Sequence, residues 1–432
     1  MTQDRFDTSL DAGTSQGTTP ETGAVAPSVA TVDHVEETAG EPVALQYFDY
    51  REPGGPAGDH WARITREADR IAQAGYDAVW VQSPAEPATP NSNGYNPRDH
   101  LTWDSPLGTE AEFAEMVEAL ANTAHGEVGV YVDTIVNHAA TAEPGSGTYE
   151  HLDSREYFHH PEAGSRTTFQ LFDLWSLDHT NETVGLHLRA YVEKIAQMGC
   201  AGVRWDAAKH VPRWFFDEYL NEWVADHDLF RVGEVFDGDV GFLESYVDTG
   251  MNCFDYPLFF TMQDAFRAEG DFRWLQGVIE DGNCLLGRDS YHASTFVSNH
   301  DEAAPPLEQL AYAFVLTAPG YPVVYSNHRI EEAGVDYAAP WLRNLIWIKR
   351  NLADGEQYVR HADPDLFVHE RFDSLLAGIN KADHERTEWV YTSWDGETLH
   401  DFTGTEDPIE TDEDGWVEIT VPAGDWVCYA PA

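Results

Sequence analysis

Beginning at Val43, short apolar runs alternate with longer segments whose apolar residues recur at helical spacing, and this continues for about 310 residues. A short run of this kind is a strand buried on both faces, and strands separated by helices lie parallel in one sheet. Strands are expected at 43–48, 78–82, 128–135, 201–205, 230–234, 253–256, 295–298 and 322–325. The first three helices carry single apolar stripes: Trp61, Ile64, Ala68 and Ile71, then Phe113, Met116, Val117 and Leu120, then Val184, Leu188, Tyr191 and Ile195. Eight strand–helix units predict a (β/α)8 TIM barrel over 41–138 and 181–356.

Three stretches fall outside that pattern. Residues 1–40 are rich in Thr, Gly, Ser, Ala and acidic side chains, with one Phe and one Leu, too little apolar surface to offset the entropy of ordering. A disordered acidic tail is expected there. Residues 139–180, between the third strand and its helix, contain Gly, Pro and His but no helical stripe, which predicts a small inserted subdomain. Residues 357–432 switch to strict alternation, as in Trp416-Val417-Glu418-Ile419-Thr420-Val421, between Gly and Asp turns. That predicts a C-terminal antiparallel β-sandwich.

Charge narrows the partners. The 76 Asp and Glu outnumber the 25 Lys and Arg, for a formal charge of −51, and four of the bases are lysine: Lys194, Lys209, Lys349 and Lys381. Such a surface repels nucleic acid and anionic membranes, so neither is an expected partner. It also repels itself unless salt screens it; at ~1 M salt the Debye length is roughly 3 Å. A halophilic protein is expected, the alternative being an acidic mesophilic one. Cys200, Cys253, Cys284 and Cys428 stand far apart, without a CxxC pair, and are expected to be buried thiols. The N-terminus shows no secretory signal and no twin arginines, so a cytoplasmic monomer is the expectation, with a secreted form left open.

In a barrel of this kind the chemistry projects from the C-terminal strand ends. Four of these are polar: Asp133-Thr134-Ile135-Val136-Asn137-His138, Gly202-Val203-Arg204-Trp205-Asp206-Ala207-Ala208-Lys209-His210, Gly233-Glu234-Val235-Phe236, and Phe296-Val297-Ser298-Asn299-His300-Asp301. One Asp at a strand end is most often a cap or a turn residue. Three carboxylates, Asp206, Glu234 and Asp301, from three strands of one barrel fit the two-carboxylate chemistry of glycoside hydrolysis with one helper. Arg204, two residues before Asp206, points to the same side and would keep that carboxylate ionised.

In order and position, these four runs resemble the signature regions of the α-amylase family of glycoside hydrolases. The first strand (Val-Ala-Leu-Gln-Tyr-Phe, 43–48) and the Gly94-Tyr95-Asn96-Pro97 turn resemble that family too, over about residues 42 to 360. The resemblance implies Asp206 as nucleophile, Glu234 as general acid/base and Asp301 as the carboxylate that holds substrate hydroxyls. It implies His138 and His300 as hydroxyl-binding histidines, Asp133 as a structural carboxylate, Tyr95 as a stacking platform, and Lys209 and His210 on the leaving-group side. Neighbouring carboxylates would raise the pKa of Glu234.

The resemblance also implies a structural calcium ion, held by Asn137, the backbone carbonyl of His210 and a third ligand. Ser176 stands where the family's Asp would, with Asp173 or Asp178 as substitutes after a small loop shift. Neither an activating chloride nor an organic cofactor is expected. The implied activity is endo-acting, retaining hydrolysis of internal α-1,4 bonds in starch- or glycogen-like glucans or maltooligosaccharides. The rivals are an exo-acting or transglycosylating enzyme on maltooligosaccharides, and a non-catalytic glucan-binding barrel, which the presence of all three carboxylates argues against.

Overall fold

A computed structural model describes residues 41–48, 59–89, 92–162, 164–327 and 334–431. The stretch 1–40, expected to be a disordered tail, lies outside them. Eight parallel strands close a barrel: β1 (Ala44–Phe48), β2 (Ala78–Val81), β5 (Gly129–Thr134), β6 (Gly202–Trp205), β7 (Phe230–Gly233), β8 (Asn252–Phe254), β9 (Ala293–Phe296) and β10 (Tyr321–Asn327), in the order β1-β10-β9-β8-β7-β6-β5-β2. Every expected strand is present. The seventh lies two residues earlier than its apolar run suggests. Beyond it the Asn299 side chain accepts hydrogen bonds from the amides of Asp301 and Glu302 at 2.8 Å each, and this local turn outcompetes continued pairing. After β2 the chain forms an unanticipated two-stranded sheet, β3 (Glu86–Pro87) with β4 (Pro97–Asp99).

The helical stripes are buried as their spacing requires. In Glu110–Ala121 they are Phe113, Met116, Val117 and Leu120, and a reciprocal cap between Thr109 and Glu112 fixes that helix's start. In Glu182–Gln197, Val184, Leu188, Tyr191 and Ile195 are buried. Trp61, Trp103 and Trp205 are fully buried, each stabilising the fold by about 2–3 kcal/mol through desolvation alone. All four cysteines are buried free thiols. Among the described residues no helix is long and apolar enough to cross a membrane.

The described residues group into two compact units, one drawn from 59–72 and 81–234, the other from 41–48, 73–80 and 235–431. The first contains β5, β6 and β7 and the insertion. That insertion is built from short 3-10 turns at Arg155–Tyr157 and Leu171–Asp173 and from isolated antiparallel bridges, His138 with Ser176 and Phe158 with Leu177.

The second unit holds β1, β8, β9, β10 and an all-antiparallel C-terminal part. A six-stranded sheet runs β11-β12-β13-β18-β15-β16 (Gln357–Ala362, Leu366–Arg371, Leu375–Asn380, Trp426–Pro431, Thr398–Asp401, Ile409–Glu410). It is accompanied by the pair β14 (Arg386–Tyr391) and β17 (Trp416–Val421). Val390, Val417, Ile419 and Val421 of that pair pack with Leu366, Val368, Leu376 and Val427 of the sheet into one core. This is the alternation read from the sequence.

Candidate active site

Strand register builds the site. Asp133 of β5 pairs with Arg204 of β6, and Trp205 of β6 with Gly233 of β7. Paired residues share a face of the sheet, as do residues two apart on one strand, so Asp133, Arg204 and Asp206 emerge together. The ladder continues one step beyond the strands: the Asp206 amide donates to Thr134 O at 3.1 Å and the Glu234 amide to Trp205 O at 3.0 Å. Gly202 lets β6 run this close, since a Cβ there would stand 2.7 Å from the Tyr131 ring and 2.8 Å from Phe230 O.

Arg204, 1% exposed, is the hub of the site. Its Nη1 donates to Asp133 Oδ1 and to Asp206 Oδ1, both at 2.7 Å, and its Nη2 pairs with Glu234 Oε2 at 3.0 Å. Burial opposes the guanidinium charge, but Asp133, Glu234 and Asp206 outweigh it and hold the pKa well above the usual value. One positive charge cannot neutralise three carboxylates. Asp133, wholly buried, takes up the difference: burial raises its carboxyl to about 6 despite the bonds from Arg204 and Tyr95.

Ala207, immediately after Asp206, adopts a left-handed backbone (φ 46, ψ 38), which costs a residue other than glycine about 1 kcal/mol or more. The turn aims its N–H at Glu234 Oε2, 2.8 Å away. That oxygen accepts from Ala207 and lies in ion-pair contact with Arg204, which favours Oε1 as the carrier of a transferable proton. Asp206 and Glu234 are thus brought together on one guanidinium.

The Tyr95 hydroxyl donates to Asp133 Oδ2 at 2.7 Å. Gly94 makes that approach possible: its φ is +102°, and a Cβ would meet Ser83 O at 3.0 Å. At His138 the Asn137 amide can only donate, so Nδ1 accepts it (3.2 Å) and Nε2 carries the hydrogen to Tyr95 O (3.0 Å). Burial lowers this imidazole to about 4, keeping it neutral. His210 bonds through Nδ1 to Arg166 O at 2.9 Å with its ring against Phe169, which ties the end of the second motif to the insertion; Lys209 beside it is half-buried.

His300 and Asp301 belong to the second unit. Gln46 of β1 donates through Nε2 to His300 Nδ1 at 2.8 Å, leaving His300 Nε2–H to face Asp301 Oδ2 at 3.2 Å. The His300 ring packs on Phe48 and Trp80, while the Asp301 carboxylate is 58% exposed. Sequence reasoning missed Gln46, although a polar residue inside an apolar strand was its signal. It also paired Arg204 with Asp206 alone. Ala207 had no signal at all, because nothing in the residue type announces a left-handed turn.

The residues offered for calcium divide. Asn137 Oδ1 and Ser176 Oγ are buried oxygen atoms without a hydrogen-bond partner, on adjoining segments where Leu177 N donates to Asn137 O. Unpaired buried oxygens of this kind suit a hard cation. Asp178 Oδ1 is occupied by the amide and hydroxyl of Thr180, and Asp173 is exposed. Among the described residues no group of three His, Cys, Asp or Glu side chains could hold a metal ion, and the two orphaned oxygens belong to the neutral side chains of Asn137 and Ser176.

Comparison with known proteins finds amylases. Residues 375–429 match the family model described as "Alpha-amylase C-terminal". The chain is 23% identical to a beta/alpha-amylase of Paenibacillus polymyxa over 79% of its own length, spanning 31% of that protein. It is 25% identical to an α-amylase of Bacillus licheniformis, over 89% of its length and 92% of the relative. Among solved structures, an Anoxybacillus α-amylase superposes with a TM-score of 0.77 at 19% identity, covering 91% of this chain and 98% of that one.

Proposed function

We propose, from the premise that this chain is a glycoside hydrolase of the α-amylase family, that it hydrolyses internal α-1,4-glucosidic bonds of starch- or glycogen-like glucans with retention of configuration, in high salt. The observation that carries the reading is the shared guanidinium: Asp206 and Glu234 on one Arg204 fork. In the proposed reaction an Asp206 oxygen attacks the anomeric carbon while Glu234 gives its proton to the departing glycosidic oxygen. Water then attacks the same carbon while Glu234 takes a proton from it, and the bond to Asp206 breaks to release the sugar. Asp301 and His300 would bond ring hydroxyls, and Tyr95 would offer a ring face.

Calcium, where bound, would lie against Asn137 Oδ1, Ser176 Oγ and the His210 carbonyl and supply structural rigidity. Asn137 also orients His138, so order there reaches the catalytic strand ends. Product analysis on soluble starch tests the whole reading. Early collapse of iodine staining with a mixture of oligosaccharides is expected; a single short product from the first turnover would defeat the endo assignment. In the same assay EDTA should slow hydrolysis and lower the unfolding midpoint by about 3 °C or more. An unchanged midpoint would remove calcium from the proposal.

Salt adaptation rests on the charge of −51. Screening relieves repulsion among surface carboxylates, so the unfolding midpoint should climb by about 10 °C or more between 0.1 M and 3 M KCl. A flat curve would contradict it.

A further inference from the structure

The C-terminal strands expose aromatic rings on one face. In β14 and β17 alternate residues turn outward, and Trp389 (56% exposed), Tyr391 (46%) and Trp416 (46%) occupy that face while Val390, Val417 and Ile419 fill the core. Tyr391 and Trp416 are paired across the strands with ring centroids 6.0 Å apart. The row continues on β11. The Arg360 guanidinium lies 5.3 Å from the Tyr391 ring and 5.1 Å from the Tyr358 ring, and Tyr358 stands 5.9 Å from Phe372 (52% exposed). Arg360 is pinned from beneath by Glu370, wholly buried, which accepts its Nε at 2.6 Å, makes an ion pair with its Nη2 at 2.5 Å and is held in turn by the Ser393 amide at 2.9 Å. The Arg360 charge is thereby spent internally, and the rings flanking it are set before any ligand arrives.

An exposed aromatic row of this extent marks a binding surface. The electrostatics select the occupant. Salt screens charge only beyond the Debye length, so at contact a second copy, also at −51, sets like charge against like charge, as does any polyanion; with Arg360 paired to Glu370, the row gives an anion no compensating cation. A neutral polyhydroxylated chain meets no such penalty. Its C–H faces stack on flat rings, and its hydroxyls find a carboxylate acceptor in Glu418, which stands opposite Trp389 on the same outward face. We propose that the row Trp389–Tyr391–Trp416, extended through Arg360 to Tyr358 and Phe372, is a second α-glucan-binding site, separate from the catalytic carboxylates, that anchors polymeric substrate. The choice of an α-glucan rests on the activity proposed above.

The test uses the full chain carrying Trp389→Ala, Tyr391→Ala and Trp416→Ala, with the single Trp416→Ala variant as a milder companion should the triple variant fold poorly. Sedimentation with granular starch is measured in a Glu234→Gln background so that the starch persists. Hydrolysis of a short aryl maltooligosaccharide is measured with Glu234 intact. The expected result is a drop in starch affinity of about tenfold or more for the triple variant, with kcat/KM on the short substrate unchanged. Unchanged starch binding would overturn the site. So would a fall from dimer to monomer with starch binding retained, which would make the face a contact between copies. Loss of starch binding by the variant in a protein that hydrolyses no glucan would uphold the site and sink the hydrolase reading instead.

Discussion

Replacing Asp206 by Asn should abolish useful turnover, with a fall of about 10⁴-fold or more in kcat on every glucan substrate, because the amide keeps the acceptor for Arg204 but removes the attacking oxygen anion. Glu234→Gln should behave differently. The side-chain oxygen that accepts the Ala207 hydrogen bond and faces Arg204 is retained, and what disappears is the proton for the leaving group. General acid catalysis contributes about 10² to 10⁴, so starch hydrolysis should drop within that range or beyond it. An aryl maltooligosaccharide whose phenol is acidic needs little protonation to depart, and its first, bond-breaking step should be slowed far less. The measurement is the ratio of single-turnover rates on the two substrate types for each variant. Glu234→Gln should change that ratio strongly and Asp206→Asn hardly at all. Equal losses on both substrates for Glu234→Gln would remove it from the role of acid, and a fully active Asp206→Asn would remove the nucleophile.

How far this site was legible depends on what kind of signal each part leaves. The barrel was readable because a strand buried on both faces must be a short apolar run and its helix must carry one stripe; Val79, Val132 and Val203 are as buried as that argument requires. Asp206 and Glu234 stood out because charged strand ends recur on several strands of one barrel, where a single one would pass as a cap or turn residue. Their shared partner was only half readable. That Arg204 faces Asp206 follows from strand alternation, whereas its contacts with Asp133 and Glu234 depend on register between strands 71 and 30 residues apart, which no local pattern encodes. The left-handed turn at Ala207 lay beyond reach for the same reason: long-range packing imposes it against the preference of the residue itself. The strip of exposed aromatics was present in the alternation of β14 and β17, but alternation states that a side faces outward without stating that Arg360 bridges it to β11.

Removing the hub should cost the most stability. Arg204→Met nearly matches the volume of the side chain but leaves Asp133, Asp206 and Glu234 without their shared cation, and breaking a buried ion network from one side costs about 3–5 kcal/mol. The loss should depend on pH in a definite direction. Burial already raises the Asp133 carboxyl to about 6, above its unfolded value, so it contributes most to stability when protonated and that contribution is lost as pH rises through 6. Without Arg204 the same carboxyl is pushed higher still, since the strongest influence lowering it is gone. The gap in unfolding midpoint between the parent and Arg204→Met should therefore be widest near pH 8 and narrow progressively towards pH 5, where protons replace the missing guanidinium. Surface repulsion changes over that range as well, but it acts on both proteins and cancels in the difference. Arg204→Lys should recover part of the stability and little activity, because a single ammonium cannot reach three carboxylates as a planar fork does. A gap that stays constant from pH 5 to pH 8 would mean that the three carboxylates are not held by one charge, and the geometry on which the proposed chemistry depends would go with it.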